Sequence, residues 1–186
     1  MKLLKIKLVV VILYLSALIS NPLMAQTCKS TITPTTPDSR FTLNDNGTTT
    51  DNMTGLVWMR CSLGQSFDNT NNTCTGSVTG YTWQQALNEA GSYSFADKSD
   101  WRLPNIKELS SIVELACAAP AINSKVFPAT ALSYYWSSSP NAINNLGAWS
   151  ADFHTGIGYE NGRHEIYYVR LVRGGAGNNN ITSIEL

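Results

Sequence analysis

Apolar and polar positions follow a period of two near both ends of this chain and a spacing of three and four in its middle. Phe41-Thr42-Leu43 and Thr48-Thr49-Thr50 flank Asp45-Asn46-Gly47. An Asn-Gly pair between β-favouring runs predicts a hairpin, because both central residues tolerate positive φ. Asp51 to Gly55 predicts a second turn, and Leu56-Val57-Trp58-Met59 a strand entering the core. The period then changes. Trp83, Ala86, Leu87 and Ala90 mark one face of a helix opened by a Thr82/Gln85 capping box and closed at Gly91. Ile106, Leu109, Ile112, Val113 and Ala116 mark a second helix, opened by Asn105 with Glu108 and preceded by Pro104. The last third returns to strands: Tyr134 to Ser138, Ala148 to Phe153, and Ile166 to Arg173, the last with one solvated face. Between these strands, Asn141–Gly147 and His154–Arg163 are dense in Gly and Asn and predict loops. Strands, two helices, then strands again give an α+β domain with a small antiparallel sheet.

Residues 1–25 stand outside this pattern. Lys2, Lys5 and Lys7 precede an apolar run from Leu8 to Ile19, then Asn21-Pro22 and a small residue, Ala25. This reads as a cleaved signal peptide; the run is short of the ~20 residues that span a bilayer. Gln26-Thr27, rather than a lipoprotein-type small-residue box, precede Cys28. The expectation is an exported protein of the periplasm, cell surface or medium, with no membrane span after cleavage. Removing the leader leaves 161 residues, ten basic and thirteen acidic, a net charge of −3. That balance argues against a nucleic-acid partner and against bulk capture of sulfated glycans. Residues 26–40, rich in Thr and Pro, predict an extended arm with little structure of its own, and residues 176–186 a frayed tail.

All four cysteines lie in the exported part. An even count after a signal peptide reads as two disulfides. Of the three pairings, Cys61 with Cys74 closes a local polar loop, which leaves Cys28 with Cys117 to tether the arm. Zinc is the rival reading, and the spacings contain no C-x-x-C pair. Asp45, Asn46 and Asp51 are oxygen donors that a calcium loop could use. The segment lacks the closing bidentate Glu, so turn chemistry is preferred.

Catalytic signals are weak. His154 and His164 are ten residues apart across a Gly-rich segment, unlike ligands set at i and i+4 on one helix. No nucleophile elbow is present, and Gly174-Gly175-Ala176-Gly177 does not open a helix. The expectation is a non-enzyme with no metal and no cofactor.

Four blocks remain: Asn46 to Trp58, Asp100-Trp101-Arg102-Leu103-Pro104-Asn105-Ile106-Lys107-Glu108-Leu109, Tyr134 to Ser139, and Tyr167 to Gly175. In this order they resemble the family named for the C-terminal domain of the Legionella collagen-like adhesin, over residues 41–175. The resemblance implies a C-type-lectin-like fold with paired terminal strands and, by analogy with the named member, glycan-binding adhesion. It makes Trp58 and Trp101 core residues, with Trp83 joining them from the helix face, and makes Arg102 and Pro104 structural. Arg102 is expected to bond loop carbonyls or a carboxylate such as Asp100 or Glu108. The adhesin's collagen-like Gly-X-Y repeats are missing here, so collagen-type trimerisation is not encoded.

These readings give a disulfide-stapled, non-catalytic module that binds a glycan or a surface protein. A lectin-like fold, as the resemblance implies, places its binding loops late in the chain. The candidate ligand residues are therefore Trp149, Asp152, His154, Tyr159, Glu160 and Asn161, where aromatic faces lie beside Asn, Asp, Glu and His groups. The alternative is a structural or tip-like subunit of a surface assembly, which needs an exposed apolar patch or an unpaired strand edge. An enzyme on the related formylglycine-generating scaffold ranks last, because the resemblance and the compartment assign all four cysteines to disulfides.

Overall fold

The computed structural model describes residues 26–175; the predicted leader and tail lie outside them. The arm opens with β1 (Thr27–Cys28) and ends in a short 3-10 turn, Asp38–Arg40. β2 (Phe41–Leu43) and β3 (Thr48–Asp51) form the expected hairpin. Gly47 takes φ +78° there, and Asn46 Oδ1 accepts the Thr48 amide at 3.2 Å. β4 (Val57–Met59) follows the second turn. The Asp51 carboxylate is committed to that turn, accepting the Met53 amide and the Thr54 hydroxyl, and is paired with Arg40. It is fully buried, and these bonds hold its pKa below the usual carboxylate range despite the cost of burial. A small hairpin, β5 (Ser66–Asp68) and β6 (Thr73–Thr75), lies inside the loop closed by Cys61–Cys74.

Both helices start where their capping boxes place them: α1 (Trp83–Ser92) at Thr82 and α2 (Ile106–Ser111) at Asn105. Gly91 does not end α1, which runs one residue further. α2 is much shorter than its apolar spacing suggests. Ile112, Val113 and Ala116 are buried as expected, but Val113 bridges Ile122 and the chain enters β7 (Cys117–Ala118). The cause lies on both sides of Ser111. Its hydroxyl bonds back to the Glu108 carbonyl, which weakens a helix. Glu114 then turns aside to serve the arm.

The arm itself is stitched down more firmly than expected. β1 pairs with β7, and Cys28 is bonded to Cys117. Glu114, 4 % exposed, accepts the amides of Thr35 and Thr36 and both their hydroxyls. The Gln26 carboxamide donates to the carbonyls of Pro120 and Ile122. Both disulfides are the expected pairs, Cys28–Cys117 and Cys61–Cys74.

β8 (Tyr134–Pro140), β9 (Gly147–Asp152) and β10 (Ile157–Gly162) form one antiparallel sheet in the order β10-β9-β8. The last strand, β11 (Val172–Arg173), returns to β4 and completes a second sheet, β11-β4-β3-β2. The expected single sheet is thus several small ones. The strand predicted from Ile166 to Arg173 is not one strand, and from Val169 to Val172 it has no solvated face. Its extended backbone changes partners as it runs: Tyr81, Tyr134, Leu63, Met59 and Arg102 each exchange backbone bonds with it. Val169, Arg170, Leu171 and Val172 are all fully buried, because alternate side chains enter two different cores.

One core gathers Trp58, Leu109, Ile112, Phe127, Tyr135, Phe153 and Val172; the other gathers Met59, Trp83, Trp101, Leu103, Trp136, Val169 and Leu171. Neighbours such as Trp58/Met59 and Tyr135/Trp136 divide between them, as a period of two requires. Trp58, Trp83 and Trp101 are buried as expected, each ring contributing roughly 2–3 kcal/mol. Arg170 is a charged residue that enters this interior. Its guanidinium donates to the Met59 and Arg60 carbonyls and the Thr130 hydroxyl, and lies 4.9 Å from the Phe127 ring centre. Burial pushes its pKa down to about 10, so it stays charged at neutral pH. Arg102 bonds Glu108 through two nitrogens and reaches the Gly174 carbonyl, while Asp100 pairs with Arg173 instead. No helix among the described residues is long and apolar enough to cross a membrane.

Candidate functional site

The segment His154–Arg163 is not a loop. It is a tight turn followed by β10, with six successive residues in register with β9: Ile157↔Asp152 through Gly162↔Gly147. Two glycines in Ile157–Gly162 hide the strand from a propensity reading. Turn chemistry makes it. Gly156 adopts φ +83° and donates its amide to the Asp152 carbonyl, while the Asp152 carboxylate accepts the His154 amide and the Thr155 hydroxyl.

This pleat separates the candidate ligand residues. Residues opposite each other in an antiparallel pair share a face, and neighbours along a strand do not. Trp149 therefore sits with Glu160, while Tyr159 and Asn161 lie on the reverse face with Ser150 and Ala148. His154 is exposed at the turn, apart from both groups. Asp152 is 7 % exposed, and its oxygens are occupied by the turn it organises. The Asn161 carboxamide is likewise engaged, donating to the Ser150 hydroxyl and accepting from Tyr167.

The reverse face is an aromatic stack. Tyr159 meets Tyr134 edge-on at 5.4 Å, Tyr134 packs on Tyr167 at 4.9 Å, and Tyr167 on buried Trp136 at 5.0 Å. Tyr159, 39 % exposed, is its outer end.

The front face carries free chemistry. Trp149 is 36 % exposed directly beside Glu160. Glu160 Oε1 accepts from Asn144 at 2.7 Å, and no described residue bonds its other oxygen. Asn144 is held in turn: its Oδ1 accepts the Leu146 amide and its carbonyl the Gly147 amide. The loop Asn141–Gly147 thus braces the strand. Gly158 leaves one flank of Glu160 open on this face, while the His164 ring lies over Gly162 on the other. The sequence places Asn144 in the loop Asn141–Gly147, but its bond to Glu160 depends on the β9–β10 pairing and is not legible there.

A groove of about 640 Å³ lies elsewhere, between the arm and the body, lined by Ile32, Pro34, Glu114 and Lys125 among others. Its polar groups are largely spent: Glu114 on the arm, and Asp38 on Lys125 and Asn123. Among the described residues no cluster of His, Cys, Asp or Glu is arranged to hold a metal, and all four cysteines are in disulfides. Structural disulfides belong to oxidising, extracytoplasmic compartments.

The family model of the Lcl C-terminal domain matches residues 47–173, and the chain belongs to that family. The match contains the second and third sequence blocks whole, and the first and fourth except for Asn46, Gly174 and Gly175. No curated protein matches the chain.

Proposed function

We propose, with membership of the Lcl C-terminal domain family as the premise, that this chain is an exported, non-catalytic adhesion module that binds a glycan on the Trp149 face of the β9–β10 hairpin. The observation that carries the reading is the pairing of a partly exposed indole with a carboxylate that Asn144 orients and Gly158 leaves open on one flank. A sugar ring presents C–H groups to an aromatic face and hydroxyls to an acceptor at its rim. Trp149 supplies the first and the free oxygen of Glu160 the second. A carboxylate there repels sulfate and sialate, so a neutral glycan is the favoured ligand class. The return of β11 to pair with β4 is consistent with a lectin-like topology, which forms part of this reading. The exposed, separated positions of His154 and His164 support a binding role over a catalytic one.

A glycan array probed with the exported chain tests this. Neutral glycans should score, and Trp149→Ala should weaken binding at least tenfold, about 1.4 kcal/mol, with an unchanged melting temperature. Tyr159→Ala, on the reverse face, should bind like the parent. An array blank for neutral glycans, or a Trp149→Ala variant that binds normally, would refute the assignment.

A further inference from the structure

We infer that the free edge of β10 pairs antiparallel with the β10 of a second copy, about a two-fold axis through Tyr159. This goes beyond the ligand reading and does not depend on it. It is also the strand edge that a subunit of a surface assembly would require.

The argument begins with backbone direction. Arg163 donates its amide to the Leu146 carbonyl, continuing the β9–β10 register. Hydrogen-bonded pairs recur every second residue, so Asn161, Tyr159 and Ile157 bond inward to β9. The opposite edge of β9 agrees, since Phe153 donates to Ser133 and so belongs to the β8 side. Gly158, Glu160 and Gly162 therefore turn their amides and carbonyls outward, and only the Gly162 carbonyl is taken, by the Glu165 amide. No described strand covers this edge. Native edges are often protected by charged side chains, Pro or a bulge; Ile-Gly-Tyr-Glu-Asn-Gly has a single charge, Glu160, and no Lys, Pro or bulge.

Gly158 carries no side chain on the face it shares with Glu160, and an added Cβ would meet only the Ser150 carbonyl, at 3.8 Å. It therefore leaves room on that face for a side chain of a facing strand.

The occupant follows from register. A two-fold axis at Glu160 would set the two carboxylates directly opposite, which is unfavourable. An axis at Tyr159 sets each Glu160 opposite Gly158 of the other copy, and each such pair exchanges two backbone bonds. It also covers Ile157 and Tyr159, 53 % and 39 % exposed, and extends the Tyr134–Tyr159 stack across the axis. The strand is complementary to itself, as a two-fold contact requires.

The test uses the full chain exported to an oxidising compartment and purified. In the proposed register the two Tyr159 Cα atoms lie ~4.5 Å apart, within disulfide reach. Tyr159→Cys should therefore give a reducible covalent dimer on a non-reducing gel, while Glu160→Cys should not. Tyr159→Lys should convert the parent dimer to monomer in sedimentation equilibrium while the chain keeps the parent's circular dichroism spectrum. A parent that stays monomeric into the submillimolar range overturns the inference, and cross-linking through Glu160→Cys in place of Tyr159→Cys overturns the register. Either result leaves the Trp149 face to be judged by its own array.

Discussion

Replacing Glu114 by Gln tests how the arm is held. The carboxylate is 4 % exposed. Oε1 accepts the amides of Thr35 and Ala116, and Oε2 accepts the Thr36 amide at 2.7 Å and its hydroxyl at 2.8 Å. A carboxamide turns one of those acceptors into a donor. The less damaging orientation points the new NH₂ at Thr36, whose hydroxyl rotates to accept while its amide loses its partner. Thr36 is 1 % exposed, so that amide is left buried and unpaired, at a cost of about 1–3 kcal/mol. The bonds that survive fall from charged to neutral strength, a further ~1 kcal/mol. A total near 3 kcal/mol should lower the melting temperature by about 6–12 °C for a domain of this size. Thermal unfolding of the exported chain, followed by circular dichroism at neutral pH, reads this directly. The hydrogen bonds also hold the Glu114 pKa below its ordinary value, despite burial. Its stabilisation is therefore complete above the unfolded carboxyl pKa, about 4.3, and is lost as pH falls through the lower folded value. The gap between Glu114→Gln and the parent should close across that range. A variant melting within about 2 °C of the parent at neutral pH, against the slope used here, would refute the reasoning.

Two further outcomes follow from the cores and the turns. Trp101→Ala removes a ring that is 3 % exposed and donates its indole N–H to the Phe95 carbonyl, so it should cost about 3–5 kcal/mol in urea unfolding; a shift under about 1 kcal/mol would place the ring outside the core. Burial raises the pKa values of Asp51 and Glu108, but hydrogen bonds from Arg40 and Arg102, together with those from Thr54 and Met53 and from the Asn105 amide, more than offset it and leave both lowered. Their stabilisation holds above the unfolded carboxyl pKa and is lost below it. Asp51→Asn should therefore be less stable than the parent at neutral pH and show a shallower acid limb in pH-dependent melts.

What the sequence made legible was local chemistry. Thr82/Gln85 and Asn105/Glu108 name the helix starts because each capping box is complete within four residues, and Asn46-Gly47 names its hairpin for the same reason. The cysteine pairs followed from loop size and from which end of the chain needed a tether. Distant partners decided what was missed. Ile112 and Val113 carry helical spacing, yet Glu114 is drawn to Thr35 and Thr36, far back in the sequence. The burial of Arg170 cannot be read before its carbonyl partners at Met59 and Arg60 are known. In the candidate site, the types of residue were visible but their division between two faces was not. That division depends on β10, whose glycines conceal the strand and whose pairing with β9 is fixed by the Asp152 turn.

The bond between Cys28 and Cys117 also sets a mechanical route. Tension applied at the N-terminal end of the described chain passes at Cys28 into residue 117, bypassing everything between. The β2–β3–β4 strands and both helices lie within that covalent loop, off the covalent path of such a pull. Force from a ligand held at the β9–β10 hairpin would travel through Phe153 and His154, whose carbonyls accept the Ala121 and Ala119 amides beside the disulfide. An anchor and a grip joined by so short a path could be strained without first unravelling the domain between them.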